Sequence, residues 1–311
     1  AGLELAKGDP GKVHFAYRNL TRGHPSTLPK DFENILAFDF SNRDQHHMAG
    51  LAEYVRRNSI QLVLFFDLQP VHPLLRHLRA GGAQALLAYW GAPISARSPF
   101  WKLMLKRTQV ALSRSRLDSL IFESQAMADL AVLGRGWPRN RIDVVPLGVD
   151  TDLFSTGPSD YVYEALDLPK SRKVVVYAGH MERRKVVHSL IEAAIELLHN
   201  RKRDDVAFLV CGNTGNQSAE FEAMYAGLGL EESIRFGGYR SDMEKIFPSC
   251  FAGVIPSTGW DSFPRTPLEM SACGLPVIAS RLQGLPEAVD DGETGLLFEP
   301  GNSQELADCI E

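Results

Sequence analysis

Short apolar runs without polar alternation recur along this chain, each followed by a stretch of helical periodicity. That rhythm restricts the fold more than any other feature. KVVVYA (Lys173–Ala178) and the LVLFF within Gln61–Phe66 show it most plainly. A strand that is apolar at consecutive positions needs cover on both faces, as a parallel strand flanked by helices has. In the first half the strand candidates are Lys12–Tyr17, Ile35–Phe38, Gln61–Phe66, Ala83–Ala88, Ser119–Phe122 and Asp143–Val145. Helical stretches at Asp44–Asn58, Val71–Ala80, Pro99–Arg116 and Ser124–Gly134 lie between many of them. Alternation of this kind builds a doubly wound α/β domain.

PLGVDTDLFSTGPSD (Pro146–Asp160), rich in Pro, Gly, Asp and Ser, reads as a linker. The alternation then restarts with strands at Lys173–Ala178, Ala207–Cys211, Ile234–Phe236, Ala252–Ile255, Pro276–Ala279 and Gly295–Phe298. Helices are expected at Val186–His199, Ser218–Leu228, Asp242–Phe247, Thr266–Cys273 and from Ser303 onward. The 311 residues are therefore expected to form two Rossmann-like domains, residues 1–150 and 151–311, facing across a cleft. Ligands of such sheets bind outside the carboxyl ends of the strands, so function is to be sought there.

No apolar run approaches the roughly 18 residues of a membrane span. The four cysteines (Cys211, Cys250, Cys273, Cys309) are scattered, with no CxxC and no His at zinc spacing. They read as the reduced thiols of a cytoplasmic protein. Charge is uneven: residues 1–150 hold 19 Lys and Arg against 13 Asp and Glu, and residues 151–311 hold 14 against 25. A basic half beside an acidic half suits an anionic partner such as lipid headgroups; solvated surface charge explains it equally well. Nucleic acid is not among the expected partners.

Three segments sit at strand ends in the second half. GHMERRK (Gly179–Lys185) follows KVVVYA and precedes a helix. Gly179 permits a tight turn, while Arg183, Arg184 and Lys185 bring positive charge to a helix start, where unpaired N–H groups favour an anion. A solvated basic loop is the competing explanation. DSFPRTPLE (Asp261–Glu269) places two carboxylates eight residues apart. Here Thr266 suits a helix N-cap, Pro267 the first helical position and Glu269 a capping box. Glu269 is equally suited to accept hydrogen bonds from the two hydroxyls of a ribose. In GLPEAVDDGETGLLF (Gly284–Phe298), Gly284 is placed to bring backbone N–H groups to a ligand, and Gly292 and Gly295 suit a turn.

Taken in order, VVPLGVDTDLF, YAGHMERRK, IPSTGWDSFPRTPLEMSACGLPVIAS and GLPEAVDDGETGLLFEPGN resemble the retaining GT-B glycosyltransferases of family 4, the glycosyl transferases group 1. FESQAM followed by RIDVVPLGVD extends the resemblance more weakly into the first half. It implies transfer of a sugar from a nucleotide-sugar donor, with retention of anomeric configuration, in polysaccharide, glycolipid or other glycoconjugate synthesis. Lys185 matches the lysine on the donor diphosphate. His180 stands where the family usually has arginine, so either Arg183 or Arg184 takes over that role or the diphosphate is bound more weakly. Glu269 matches the second acid of the family's E-x7-E motif, at the ribose, and Asp261 the first, near the donor sugar. Asp261 and Lys185 are thus the residues nearest the chemistry, with Gly179, His180, Ser262, Phe263 and Pro264 beside the sugar and phosphates. No cofactor and no metal is implied.

Acceptor recognition is expected in the first half, which places His72 and Trp90 at strand ends. A surface position at a helix start for His72 and a core position for Trp90 are the plainer explanations. The acceptor is a sugar, a lipid-linked or a small molecule. SPFWKLMLKRTQVALSRSR (Ser98–Arg116) mixes aromatic and basic residues. It suits either a core-facing helix with a basic outer face or peripheral contact with an anionic inner membrane face. AGLELAKGDPGKVHFAY resembles the end of the family's first helix and its second strand, and GNSQELADCIE stops inside a helix, so a fragment of a longer enzyme is expected. A sugar-nucleotide epimerase and a non-catalytic sugar-nucleotide binder share the architecture and remain alternatives.

Overall fold

The computed structural model describes residues 6–18, 28, 32–91, 99–113, 115–166, 168–181, 187–212 and 215–311. Two compact units emerge. The first comprises the described residues of Ala1–Gly91, Ser95–Ile121 and Ala131–Asp143; the second contains Phe122–Leu130 and Val144–Glu311.

In the first unit, β1 (Phe15–Tyr17) and β2 (Ile35–Ala37) pair in parallel. A separate sheet has the order β3 (Leu62–Phe66), β4 (Ala85–Tyr89), β5 (Ser119–Phe122), β6 (Ile142–Val144). Helices α1 (Gln45–Arg57), α2 (Leu74–Ala80), α3 (Phe100–Leu112) and α4 (Gln125–Arg135), of which Ala131–Arg135 belongs to this unit, fall between the strands. The local chemistry of α1 explains its ends and its face. The Asp44 side chain accepts from the His47 N–H, and Met48, Leu51, Ala52 and Val55 form a buried stripe at i, i+3, i+4 and i+7.

Helix α3 departs from the expected core-facing helix. Its core-facing side is taken partly by Arg107, whose guanidinium donates to the Leu133 carbonyl at 2.6 Å. Val110 is buried, whereas Phe100, Trp101, Leu105 and Leu112 are 76, 62, 65 and 78% exposed. Most of the large apolar side chains of this helix therefore point to solvent rather than inward.

The second unit contains a six-stranded parallel sheet in the order β12-β11-β10-β7-β8-β9. Its strands are β7 (Lys173–Ala178), β8 (Val206–Cys211), β9 (Ile234–Gly238), β10 (Ala252–Ile255), β11 (Val277–Ser280) and β12 (Gly295–Phe298). The first strand, β7, is central; the chain winds outward through β8 and β9, then returns to the other side of β7 with β10. Every residue of β8, β10 and β11 is buried, as continuous apolar strands require. Covering elements are α5 (Tyr161–Ala165), α6 (Val187–Ile195), α7 (Ala219–Tyr225), α8 (Met243–Ile246), α9 (Arg265–Ala272), α10 (Leu285–Ala288) and α11 (Ser303–Ile310). Their apolar faces form two cores, one built on Val175, Tyr177, Phe208 and Val210, the other on Val174, Val176, Leu209 and Ala279. Alternate residues of the same strands thus serve opposite faces.

Candidate active site

Glycine ends or follows each of three adjacent strands of the second sheet, and backbone bonds stitch those ends together. The Gly179 N–H donates to the Cys211 carbonyl at 3.2 Å, and the Gly212 N–H to the Gly238 carbonyl at 2.8 Å. Gly212 sits at φ +113°, and a Cβ there would lie 2.0 Å from the Gly179 carbonyl oxygen. No other residue fits this crossing. The Tyr177 hydroxyl donates to the His180 carbonyl at 2.9 Å and fixes the turn leaving β7.

A cavity of about 280 Å³ opens over this glycine floor, at the carboxyl ends of β7, β8, β9 and β10. Gly179 and His180 enter it from β7, Gly212 from β8, Tyr239 and Arg240 from β9, and Pro264, Thr266 and Glu269 from the start of α9. This is the point where the winding reverses between β7 and β10, which is where open α/β sheets leave a crevice. The N-terminus of α9 adds unpaired N–H groups on one side of the cavity.

Glu269 brings a largely buried carboxylate to the cavity. Its side chain is 18% exposed and lies 3.2 Å from the Arg265 guanidinium. Burial raises its pKa above the ordinary glutamate value, and Arg265 opposes that rise. The capping role does not hold: the helix begins at Arg265 after Pro264, with no side-chain cap, and Glu269 falls at the fifth helical position. A box needs the acid at the third position, so Glu269 is left facing the cavity.

Arg240 is fixed in place by Asp242, with Nε–Oδ1 at 2.8 Å and Nη2–Oδ2 at 2.5 Å. Asp242 also accepts from the Tyr161 hydroxyl at 2.7 Å. These bonds hold the Asp242 carboxyl below and the Arg240 guanidinium above their usual ranges. Cys211, at the floor, is pushed up to about 12 by burial and stays a thiol.

The other expected site residues scatter. Asp261 and Phe263 are each 5% exposed and do not line the cavity. The Asp261 carboxylate accepts from the Ser257 hydroxyl, and its N–H donates to Gln283 Oε1 at 2.8 Å. The Ser262 hydroxyl donates to Glu123 Oε2 at 2.5 Å. Gly284 does not present its N–H to a ligand: the group faces the Asp261 carbonyl at 3.3 Å, and a Cβ there would meet the Ser262 carbonyl at 1.6 Å. Gly295 is equally structural, since a Cβ would lie 1.8 Å from the Val277 carbonyl. Arg183, Arg184 and Lys185 lie outside the described residues.

In the first unit, Trp90 is a core residue at 3% exposure. His72, expected at the surface, is 7% exposed; its Nδ1 accepts from the Leu74 N–H at 3.2 Å and so shapes the start of α2. Burial lowers its pKa, and Arg43 adds to the effect. Among the described residues no group of three His, Cys, Asp or Glu side chains is placed to hold a metal, and no helix is long and apolar enough to cross a membrane.

Tyr239, Arg240, Gly212 and Tyr177 escaped the sequence reading. The double glycine of FGGYR was the available signal: it extends β9 to Gly238 and puts Tyr239 and Arg240 at a strand end.

Comparison with known proteins gives this geometry its context. The family model described as Glycosyl transferases group 1 matches residues 172–311. The D-inositol 3-phosphate glycosyltransferase of Corynebacterium jeikeium (strain K411) is 33% identical over 179 residues, covering 54% of this chain and 42% of the relative. The chain spans about half the length, or less, of the curated relatives it matches. Among solved structures, a glycosyltransferase from Rickettsia africae ESF-5 superposes with a TM-score of 0.74 at 20% identity, over 89% of this chain and 73% of that one. Anabaena Alr3699/HepE in complex with UDP gives 0.68 at 24% identity, over 85% and 71%. These likenesses identify the fold as GT-B, with Rossmann-like parallel sheets in both units. Over residues 172–311 the chain is similar to the group 1 glycosyl transferases.

Proposed function

We propose that this chain transfers a sugar from a nucleoside-diphosphate sugar to an acceptor hydroxyl, with retention of configuration at the anomeric carbon, in glycoconjugate synthesis. One observation carries the proposal: segments more than 80 residues apart in sequence bring Gly179, His180, Pro264 and Glu269 to one cavity at the switch between β7 and β10. Relatives bearing glycosyltransferase names and a GT-B structure solved with UDP support it.

In this reading Glu269 accepts from both ribose hydroxyls, as a carboxylate with two oxygens can. The exposed ring of Tyr239 offers a face to the base. The diphosphate lies between the Gly179–His180 turn and the N-terminus of α9, with Lys185 and either Arg183 or Arg184 supplying charge. The acceptor oxygen bonds to the anomeric carbon as the bond from that carbon to the diphosphate breaks. The acceptor proton passes to the departing phosphate oxygen, so the products are a glycoside and a nucleoside diphosphate. N–H dipoles and cations that already point at the leaving group stabilise its growing charge. Asp261, buried behind the cavity, holds the 257–264 loop that carries Pro264; a position near the donor sugar is proposed for it on the family resemblance. The proposal assigns no cofactor.

Peripheral contact with an anionic inner membrane face is part of the proposal. Phe100, Trp101 and Leu105 are exposed on α3 with Lys102 between them, the composition of an interfacial helix.

A thermal-shift panel of UDP-, GDP- and ADP-sugars tests donor binding, because a ligand of the native state raises its melting temperature. One donor is expected to give a shift that Glu269→Ala loses. An undiminished shift in that variant would remove Glu269 from the ribose. Proton NMR of the product's anomeric signal tests retention, and the opposite anomer would refute it.

A further inference from the structure

The first unit contains a second cavity, of about 480 Å³, enclosed by the loop after β3, the start of α2, the C-terminal half of α3 and the end of α4. Four cations line it: Arg43, Arg76, Lys106 and Arg135, together with His72. No carboxylate among the described residues does. Among the described residues none of these four side chains is in an ion pair, whereas Arg201 pairs with Glu196, Asp308 and Glu311. Like charges gathered without counter-charge repel one another and weaken a fold.

Solvation does not account for all of them. Arg135 is partly buried, its Nε has no hydrogen-bond partner among the described residues, and its Nη2 makes only a long bond of 3.3 Å to Gln69 Oε1. An arginine desolvated beside a neutral amide is left with donors to spend. The buried His72 ring uses Nδ1 as an acceptor toward the Leu74 N–H, so the proton of the neutral ring sits on Nε2 as a donor. Gln109 adds an amide. The cavity is thus rich in donors, positive, and roomy enough for a charged headgroup.

We infer that this cavity binds a phosphate group, with Arg76, Lys106 and Arg135 contacting its oxygens. Guanidinium groups bind phosphate with paired, charge-assisted hydrogen bonds, and a phosphate's higher charge and additional acceptor oxygens engage several cations at once, as a carboxylate's two oxygens do not. Two molecules bring such a group: a soluble phosphomonoester and an anionic phospholipid headgroup. At 100° per residue, Trp101, Leu105 and Leu112 make an exposed stripe on α3 that adjoins the Lys102, Lys106 and Gln109 face. A lipid headgroup in the cavity would leave its tails beside that stripe.

The test uses the full chain and calorimetric titration with inorganic phosphate at constant ionic strength, against chloride. Arg76→Gln and Lys106→Gln are measured beside the parent, with UDP titrated into the same preparations. Expected is phosphate binding that each variant weakens at least tenfold, while UDP binding at the second unit is unchanged. Phosphate binding equal in parent and both variants, or none above chloride, would overturn the inference. A parallel loss of UDP binding would also count against it, as a sign that phosphate was read at the donor site. Glycerol 3-phosphate and phosphatidylglycerol vesicles then separate the sources. Binding of the soluble ester with the same dependence on Lys106 identifies a free ligand; vesicle binding lost in Lys106→Gln, with no binding of the ester, identifies a lipid.

Discussion

The two units follow one alternation of strand and helix, yet they treat their apolar residues in opposite ways. In the second unit β8, β10 and β11 are buried throughout. In the first, β3 exposes Leu62, Leu64 and Phe66 at 43, 41 and 74%, and α3 exposes five large apolar side chains. Apolar side chains left in water contribute little to folding, so the second unit is expected to carry most of the chain's stability. Charge differs as well. The acidic second half nonetheless holds the candidate donor cavity, where Arg240 is matched by Asp242 and Glu269 by Arg265. The basic first half holds a cavity whose cations meet no carboxylate among the described residues. Net charge of a half is therefore a poor guide to its site; the pairing of individual charges tells more.

That contrast breaks most visibly at Gly212. Gly212→Ala forces a side chain against the Gly179 carbonyl and into a backbone conformation L-residues avoid. A loss on the order of 4 kcal/mol or more is expected in urea unfolding of the second unit. Leu209→Ala in the same sheet should cost about 2–5 kcal/mol. The matching change Leu64→Ala on the exposed face of β3 should cost less than about 1 kcal/mol, because little buried surface is lost. Equal costs for the two leucines would erase the distinction between the units.

Glu269→Gln sharpens the contrast from the side of function. It should lower UDP affinity by roughly 10–100-fold, the loss of about 1.5–3 kcal/mol from bonds to a charged acceptor, with little change in unfolding. Its pH dependence follows from burial. The folded pKa of Glu269 is raised, so the free protein's folded state holds this proton more tightly than the unfolded chain does. The resulting stabilisation is present at low pH and is lost as pH rises through the raised value. UDP binding, which uses the ionised form, should run the other way and weaken as pH falls, starting above the ordinary glutamate range. Calorimetry across pH checks this, and Glu269→Gln should flatten the curve. The smallest stability effect belongs to α3: Trp101→Ser should change it by less than about 0.5 kcal/mol while reducing sedimentation with phosphatidylglycerol vesicles.

Much of the fold was legible where apolar runs are continuous. Lys173–Ala178, Ala252–Ile255 and Gly295–Phe298 end where their apolar runs end. Legibility failed where a side chain's partner comes from elsewhere. Arg107 on the inner side of α3 became intelligible only with the Leu133 carbonyl opposite it. His72 looked like a helix-start surface residue until the segment around Ser115 closed over it, with the His72 N–H donating to that carbonyl at 3.3 Å. At the candidate site, Gly179 and Glu269 were visible as residue types at strand and helix ends. Tyr239 and Arg240 were not, because ending β9 at Phe236 left them in an apparent loop. Glu287 had no local reading at all: its carboxylate accepts from the Gln125 and Ala126 N–H groups at 2.7 and 2.8 Å, capping α4 from more than 160 residues away.

Hydrogen exchange read by mass spectrometry, with and without saturating UDP, tests the central assignment most directly. Protection is expected together in the segments holding Gly179–His180, Gly212, Tyr239–Arg240 and Pro264–Glu269, which meet only if one nucleotide touches all four strand ends. Protection confined to the first unit, or to one of these segments alone, would contradict it.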